Sequence, residues 1–528
     1  MSKTFSSVSL GRPVAILTAV CLAALALPLS FSAGALATPA IGRELAGGPV
    51  EMNWITNAFM LTFGSLLMAA GALADRFGRK RLFAIGVSGF TLVSLLLGFA
   101  PSILVVDLLR AVQGVAAAAA LAGGTAALAQ EFDGRARTRA FSLLGTTFGL
   151  GLAFGPVLAG FMIERFGWRA IFATGAVVGV LSLLFGVPQM RESRDPDARR
   201  IDWAGIATFT GALSCFTFGV IQSSESGWSS PLVVGFLLGA ALLTAAFWLI
   251  ETRVARPMLD LSLFRYPRFV GVQVLPIATC YCYIVLLVVL PLRFVGADAY
   301  SEIDAGWLML ALSAPMLVVP LVAATLTRWM SAGVISGIGL LIAAAGLYWL
   351  TVALRDGASH AAIAPLLTIG VGAGMPWGLM DGLSVSVVPK ERAGMATGIF
   401  STTRVAGECI ALATVSAILA VLTQARVQSI VRPDALSADV SANVSEAAAR
   451  LAAGDLDRAS ALLPHVARTT LLHIYADAFG LLLGGLTVVT LLCAIAVFAI
   501  LGRVRADDDS SVDRERRARV MTSDREPA

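Results

Sequence analysis

The chain has 528 residues, of which 57% are hydrophobic and only 14% are charged, and its formal net charge is +5. A soluble globular protein carries about 25% charged residues, so this composition excludes a soluble enzyme of ordinary kind and indicates many membrane-spanning helices. The small positive charge does not point to nucleic acid, because basic residues in the loops between such helices account for it.

Fourteen apolar runs are long enough to cross a bilayer, whose hydrocarbon core of about 30 Å needs roughly 20 apolar residues per helix. We predict spans at residues 13–38, 52–73, 82–100, 102–129, 138–163, 168–188, 203–222, 231–250, 269–293, 304–326, 332–353, 361–387, 393–424 and 474–501. The first run follows Lys3 and Arg12, as in a secretory signal peptide, but it is too long for one. It is therefore predicted to be an uncleaved first helix.

Basic residues alternate between the two sets of loops. One set carries Arg76, Arg79, Lys80, Arg81, Arg135, Arg137, Arg139, Arg191, Arg194, Arg199, Arg200, Arg253, Arg256, Arg265, Arg268, Arg328, Lys390 and Arg392. The other set carries only Arg43, Arg165, Arg169, Arg293 and Arg355. Because short cytoplasmic loops hold the excess of Lys and Arg, the first set is predicted to be cytoplasmic, and both termini with it.

The spans suggest a domain organisation with two larger units. We predict an N-terminal six-helix bundle at 1–188, two additional linker helices at 189–268 and a C-terminal six-helix bundle at 269–502. The longest connection, 425–473, is predicted to lie outside the cell and to form short surface helices. The tail 503–528 is polar and mixed in charge, so we expect it to be cytoplasmic and disordered.

The loop between the second and third runs concentrates charge between two membrane-length helices. It reads GALADRFGRK over 71–80 and contains Gly71, Asp75, Arg76, Gly78, Arg79 and Lys80. The pattern resembles the signature loop of the major facilitator superfamily of membrane transporters. The resemblance implies a gate at the cytoplasmic surface, whose charge pairs form in one conformational state and break in the other.

The fourth run contains charges within an apolar helix. Arg110, Gln113 and Gly114 form an R-x-x-Q-G pattern, and Asp107 lies three residues before the arginine on the same face. The pattern resembles the superfamily's proton-coupling motif. A charge inside the membrane is a functional hypothesis by default; the alternative is an internal ion pair that only satisfies two charges.

The fifth run is rich in glycine. Gly151, Gly155, Pro156 and Gly160 resemble the motif of superfamily exporters that antiport protons, although Ala159 replaces its usual glycine. Small residues at this spacing let a neighbouring helix approach, and the proline bends the helix.

Together, the fourteen spans and these motifs resemble the fourteen-span drug/proton antiporter family. The resemblance implies an all-α membrane protein, a two-bundle helical transporter of the major facilitator type with 14 transmembrane helices. In that family an Asp usually lies nine residues before a Pro in the first helix. Here Pro39 holds the proline position and Ser30 the acid position.

The C-terminal half offers other charged residues for proton coupling. Asp381 lies in a glycine-rich run, and Glu408 follows Arg404 by four residues, so the last two share a helix face. Arg404 resembles the family's thirteenth-helix arginine. Asp381 and Glu408 are candidate proton carriers, and the alternative is a static Arg404–Glu408 bridge.

The remaining residues bear on substrate and partners. Trp54, Phe148 and Trp377 are candidate lining residues for a planar or amphipathic organic molecule. The cysteines lie in apolar segments and the three histidines do not cluster, so we expect no metal and no cofactor. The expected partners are a small-molecule substrate, protons and lipid, and the chain is expected to act as a monomer.

Three functions fit this sequence to different degrees. The first is proton-coupled export of amphipathic organic compounds across the cytoplasmic membrane, which the glycine-proline motif favours. The second is uptake of a small organic nutrient, such as an aromatic vitamin, on the same scaffold. A membrane sensor that does not transport fits less well, because the sequence has no soluble signalling domain. No constellation of catalytic residues supports an enzyme.

Overall fold

The computed structural model describes residues 11–132, 134–194, 202–254, 257, 259, 261–354, 359–388, 393–430 and 438–502. Its α-helices are α1 (Gly11–Leu45), α2 (Pro49–Phe77), α3 (Arg79–Leu97), α4 (Ile103–Glu131), α5 (Gly134–Phe166), α6 (Arg169–Phe185), α7 (Trp203–Ser226), α8 (Pro231–Glu251), α9 (Pro267–Thr279), α10 (Val285–Pro291), α11 (Glu302–Ser313), α12 (Val319–Leu326), α13 (Ala332–Ala353), α14 (Ile363–Ser386), α15 (Ala393–Ile430), α16 (Ala438–Ala452), α17 (Leu456–Leu462) and α18 (Arg468–Leu501).

The described helices confirm the predicted membrane spans. Thirteen are long and apolar enough to cross a bilayer, and α5 brings the total to fourteen if its two parts, Leu143–Leu152 and Phe154–Phe166, count as one span. Those parts are bent by 40° relative to each other. Pro156 explains a bend here, because its ring clashes with the carbonyl four residues earlier, at Leu152.

Two of the spans are not continuous α-helices. The ninth runs from Pro267 to Ala297 and contains two π-helical segments, Cys280–Ile284 and Leu292–Ala297. The tenth joins α11 to α12 through a 3₁₀ segment, Ala314–Leu317, that contains a proline. Irregular turns of both kinds in transmembrane helices are frequent at functional sites and hinges.

Glycines bring the helices of the N-terminal part into close contact. A Cβ on Gly86 of α3 would lie 2.8 Å from the Cα of Ala120 in α4. A Cβ on Gly123 of α4 would lie 2.6 Å from the backbone nitrogen of Phe83 in α3. Two glycines therefore allow these backbones to approach, as small residues do in membrane bundles.

The bundle has two ends, which we name by their connections. The Gly47 end carries the α1–α2 connection, and the Gly78 end carries the α2–α3 connection. α5 and α11 contact each other at the Gly47 end, where a Cβ on Gly160 would lie 3.0 Å from the Cα of Ile303. Toward the Gly78 end, a Cβ on Gly145 would meet nothing within 4 Å. The N-terminal and C-terminal helices thus meet through α5 and α11 at the Gly47 end, and Gly64 of α2 packs on the backbone of Val405 and Ala406 in α15 near the middle of the bundle.

The long connection before the last helix is helical, as predicted, but shorter than predicted. α15 continues to Ile430 and α18 begins at Arg468, so the connection narrows to 431–467, with α16 and α17 inside it. These two helices bury an apolar face that contains Val444, Ala447, Ala448, Leu451, Leu456 and Ala459. Covering that face is what holds the short helices on the surface of the bundle.

Some predictions lie outside the described residues. These are the tail 503–528 and the basic residues Arg199, Arg200, Arg256, Arg355, Lys390 and Arg392.

Candidate transport site

Arg110 lies at the centre of the N-terminal helices and is fully buried. Its Nε donates to the carbonyl of Ile55 in α2 at 2.8 Å. Its Nη1 donates to Oγ of Ser30 in α1 at 2.9 Å and to Oε1 of Gln113 at 2.7 Å. One guanidinium thus joins three helices through polar contacts, as a buried charge requires.

The network continues from Gln113, one turn along α4. Its Nε2 donates to Oγ of Ser94 in α3 at 2.8 Å, and Ser30 donates to its Oε1 at 3.3 Å. The four polar side chains, Ser30, Ser94, Arg110 and Gln113, are all buried. The R-x-x-Q spacing therefore places two polar groups of α4 in one network that reaches α1, α2 and α3.

The charge of Arg110 has no acidic partner within ion-pair distance among the described residues. Its Nη2 has no hydrogen-bond partner, and its guanidinium carbon lies 4.5 Å from the centre of the Phe59 ring. A Cβ on Gly34 would lie 2.9 Å from Nη2, so only a glycine leaves room for the side chain here. The face of an aromatic ring attracts a cation, and desolvation strengthens that attraction.

Asp107 and Arg110 do not form the internal ion pair that the sequence analysis set against a functional role. The carboxylate is half-buried, and its Oδ1 is shielded from solvent without a hydrogen-bond partner. Arg110 points instead toward α1 and α2. An acidic oxygen that is buried without a partner is costly, and this one lies one helical turn from a buried cation.

The charged residues of the C-terminal half do not form the static Arg404–Glu408 bridge that was the alternative to proton coupling. Nη1 of Arg404 lies 3.5 Å from Oδ1 of Asp381 in the neighbouring α14, and Arg404 and Glu408 are not within ion-pair distance. Glu408 is buried, whereas 61% of the Asp381 side chain is exposed. Arg404 pairs with Asp381 of α14 and not with Glu408, which lies one turn later in its own helix.

Aromatic rings surround Arg404. Its guanidinium carbon lies 5.9 Å from the ring centre of Trp377 and 6.0 Å from that of Phe400. Trp377 is also 6.2 Å from Tyr283, which belongs to the first π-helical segment. The Arg404–Asp381 pair thus lies beside aromatic rings of three helical segments, of which Phe400 and Tyr283 are fully buried and Trp377 is half-buried. Trp377 is therefore the ring that a planar molecule with a polar group could contact beside this pair.

The other candidate lining residues lie at helix contacts. Trp54 of α2 packs on Phe218 of α7, with ring centres 4.3 Å apart. Phe148 of α5 is half-buried against the apolar core. The structure therefore brings Trp377 to the charged cluster and places Trp54 beside α7.

The glycine motif of α5 faces two partners. A Cβ on Gly151 would lie 3.0 Å from the carbonyl oxygen of Leu25, and one on Gly155 would lie 3.2 Å from Cβ of Ser32, both in α1. Farther along, α5 contacts α11, where Gly306 lies against the backbone of Pro156 and Gly160 against that of Glu302. The motif thus packs α5 on α1 and also on the C-terminal helices.

The charged loop at the Gly78 end is tied to α2, α4 and the segment that follows α6. Arg79 pairs with Asp75 at 2.9 Å and donates to Oε1 of Gln130 at 3.0 Å, and its backbone nitrogen donates to Ser193 at 3.0 Å. Arg76 lies over the Phe77 ring, and the backbone nitrogen of Lys80 donates to Glu192 at 3.2 Å. Among the described residues, none of these contacts reaches the C-terminal helices.

Sequence reasoning identified Ser30, Arg110 and Gln113 but missed Gly34, Ser94 and the carbonyl of Ile55. Gly34 follows Ser30 by four residues, so helical spacing places both on the face that meets Arg110. No comparable signal exists for Ile55, because a backbone carbonyl has no signature in the sequence.

Membrane-length helices with charged residues buried between them are typical of membrane transporters. The family model for the Major Facilitator Superfamily matches residues 18–412, and the chain belongs to this family. It is thus a transporter and not an enzyme, as the sequence predicted.

The relatives and structural neighbours agree with this assignment. The chain is 31% identical over 387 residues to the multidrug resistance protein Stp of Mycobacterium tuberculosis, and these residues cover 73% of this chain and 72% of that protein. It is 28% identical over 420 residues to the tetracenomycin C resistance and export protein of Streptomyces glaucescens, which covers 79% and 77%. A bacterial homologue of the human lysosomal transporter Spinster, solved in an inward-facing, unoccupied conformation, shares the fold with a TM-score of 0.60 at 13% identity and covers 93% of this chain and 97% of that one.

Proposed function

We propose that this chain exports amphipathic organic compounds from the cell in exchange for protons. The names of its relatives, which include a multidrug resistance protein and an antibiotic export protein, support the substrate class and the direction. The glycine-proline motif of α5, with Gly151, Gly155, Pro156 and Gly160 packed on α1 and α11, supports the same class of exporter.

The proposal of proton coupling rests on Asp107, whose Oδ1 has no hydrogen-bond partner and which lies one helical turn from Arg110. A carboxyl group that is partly withdrawn from water without an ion pair is stabilised when it binds a proton. Nearby Arg110 adds a fixed positive charge that favours release of that proton. Asp107 is therefore our proposed proton carrier, and Glu408 of α15, which is buried and has no ion pair among the described residues, is the second candidate.

The substrate is proposed to bind beside Arg404 and Asp381. The half-buried Trp377 supplies aromatic surface there, and the exposed Asp381 side chain lies within a helix of membrane length. An exposed carboxylate at such a position needs a water-filled space. Trp54 and Phe148 would line that space only in another conformation, because both are packed at helix contacts here.

Transport is proposed to move the N-terminal bundle, 1–188, against the C-terminal bundle, 269–502, with the helices of 189–268 as a linker. The Gly47 end is closed by contacts between α5 and α11. The loop with Gly71, Asp75 and Gly78 would then gate the opposite end. We place the chain as a monomer in the cytoplasmic membrane with both termini in the cytoplasm, so that the Gly78 end faces the cytoplasm.

The test is compound accumulation in a bacterial host that lacks its own major drug pumps. Cells that express the chain should retain less of at least one dye or antibiotic from a panel than cells with an empty vector, and a proton uncoupler should abolish the difference. The Asp107→Asn variant, at matched abundance, is the control for coupling. Higher retention of a vitamin in the expressing cells would instead establish the uptake function, and retention equal to that of the control cells for every compound would argue against both.

A further inference from the structure

Two arginines on the surface helices α16 and α17 bind one backbone carbonyl at the Gly47 end. Nη1 of Arg450 donates to the carbonyl of Gly47 at 2.8 Å, and Nη1 of Arg458 donates to the same oxygen at 3.1 Å. Gly47 lies between α1 and α2, whereas both arginines lie between α15 and α18. These two hydrogen bonds therefore cross from the C-terminal part of the chain to the N-terminal part.

A single carboxylate positions both guanidinium groups. Oδ2 of Asp455 lies 3.9 Å from Nη1 of Arg450 and 3.6 Å from Nε of Arg458, and Oδ1 of Asp455 accepts from the first turn of α17. Glu446 holds Arg450 from the other side at 3.3 Å. Only 16% of the Arg450 side chain is exposed, so these charges are partly shielded from the solvent that would otherwise compete for them.

The α16–α17 segment is fixed to the C-terminal helices. Gly454, with a φ of +81°, joins α16 to α17 and lies against the second π-helical segment, where a Cβ on Gly296 would be 2.8 Å from its carbonyl carbon. Leu451 and Leu456 bury their side chains beside it. Because backbone packs on backbone here, the segment must move together with the ninth span.

The carbonyl of Gly47 is held equally firmly by the N-terminal helices. The backbone nitrogen of Gly47 donates to the carbonyl of Gly42 at 3.2 Å, and Ala46 before it has a φ of 55°. This left-handed turn ends α1 and directs the next carbonyl away from the helix. Nearby, Arg43 of α1 pairs with Glu302 of α11 at 2.5 Å, a second contact between the same two parts.

We propose that Arg450 and Arg458 are positioning residues of the transport cycle, which hold the Gly47 end closed and release the Gly47 carbonyl when that end opens. Donors on one moving part and an acceptor on the other cannot stay within hydrogen-bond distance when the parts separate. The α16–α17 segment thereby acts as a latch whose strength sets the balance between the two conformations. The inference requires only that the two parts move, so it does not depend on which compound is carried.

The experiment measures that balance directly. Spin labels are introduced at Ser102 and Ala361, two exposed positions at the Gly47 end, through genetically encoded ketone-bearing residues, which leave the native cysteines in place. Double electron–electron resonance then gives the distance distribution in lipid nanodiscs. In the double variant R450Q/R458Q, the ratio of long to short distances should rise at least about tenfold, since even one charge-assisted hydrogen bond is worth that factor.

Arg468 provides the matched control, because it lies beside the same segment and pairs with Asp457 at 2.8 Å, with 53% of its side chain exposed. The R468Q variant should give the wild-type distribution. The R450K variant keeps a hydrogen-bond donor and the positive charge at this position. Its closed population should therefore be larger than that of R450Q and smaller than that of the wild type. If the double variant does not accumulate, the single variants R450Q and R458Q carry the same test with a smaller shift.

Two results would overturn the proposal. One is a wild-type distance distribution in every arginine variant at positions 450 and 458. The other is an equal shift in R468Q, which would mean that the segment is loosened in general and that the Gly47 carbonyl is not its point of action.

Discussion

The hydroxyl of Ser30 and the guanidinium of Arg110 are 2.9 Å apart, in hydrogen-bond contact between the first and fourth helices. By the resemblance to the fourteen-span antiporters, Ser30 holds the position at which an acid is expected. With a serine there, no carboxylate from this position lies beside the fully buried cation. A serine satisfies one donor of that cation, but it cannot neutralise the charge or carry a proton.

Replacing Asp107 with Asn should abolish proton-driven accumulation of substrate, because Asn keeps the volume and removes the group that binds the proton. Downhill exchange of substrate should continue. The measurement is substrate movement in proteoliposomes with an imposed pH gradient, with Asp457→Asn, at an exposed surface position, as the matched control. Glu408→Gln and Asp381→Asn are measured in parallel; a wild-type response from all three variants would reject the carboxylate hypothesis.

Replacing Gly34 with Ala should destabilise the protein and impair transport, because the new methyl group would lie 2.9 Å from Nη2 of the buried Arg110. Overpacking of this kind costs about 1–3 kcal/mol. Gly145→Ala is the control, since a Cβ there meets nothing within 4 Å, and an alanine in a helix is favourable by about 1 kcal/mol. Thermal unfolding in detergent and export rates compare the two, and equal behaviour would show that Arg110 does not need this space.

Replacing Gly160 with Ala should favour the conformation that is open at the Gly47 end. The added Cβ would lie 3.0 Å from the Cα of Ile303, so α5 and α11 must separate. Label distances between Ser102 and Ala361 should lengthen relative to Gly145→Ala, which lies in the same helix. An unchanged distribution would mean that α11 can adjust locally without movement of the two parts.

Replacing Asp75 with Asn should slow transport while substrate affinity stays nearly intact. Asp75 pairs with Arg79 at the Gly78 end, and 39% of its side chain is exposed, so loss of the pair should change stability by less than about 1 kcal/mol. The expected effect is on the interconversion of conformations. Equilibrium binding and initial transport rates, measured on the same preparation, separate the two, and a large loss of affinity would contradict this assignment.

Reporter fusions should place residue 528 and the α16–α17 segment on opposite sides of the membrane. The expectation rests on the asymmetry of Lys and Arg between alternate loops. A fusion after residue 528 should be active in the cytoplasm, and an insertion at exposed Ala461 should be active outside. If both report the same side, the fourteen-span topology with cytoplasmic termini is wrong.

The sequence predicted the helices and the family well, because span length and loop charge are local properties. It also identified Arg110 and Glu408, since a charge inside an apolar run is visible without a structure. It could not assign their partners. Arg404 meets Asp381 of another helix and not Glu408 one turn away, and Asp107 stays apart from Arg110, because helix packing decides which of several nearby groups a long side chain reaches.

The surface segment shows the same limit more clearly. Its composition predicted short helices, but the Arg450–Gly47 contact joins residues that are 403 positions apart. A backbone carbonyl leaves no trace in the residue types, so this relationship required coordinates.

The two π-helical segments of the ninth span, Cys280–Ile284 and Leu292–Ala297, have a consequence for comparisons between relatives. A π-turn accommodates one residue more than an α-turn, which rotates everything after it by about 100° around the helix axis. A relative with a regular helix here would present a different set of side chains at the same alignment column. Residue roles should therefore be transferred across this span by superposing backbones, with a one-residue gap allowed at each π-helical segment.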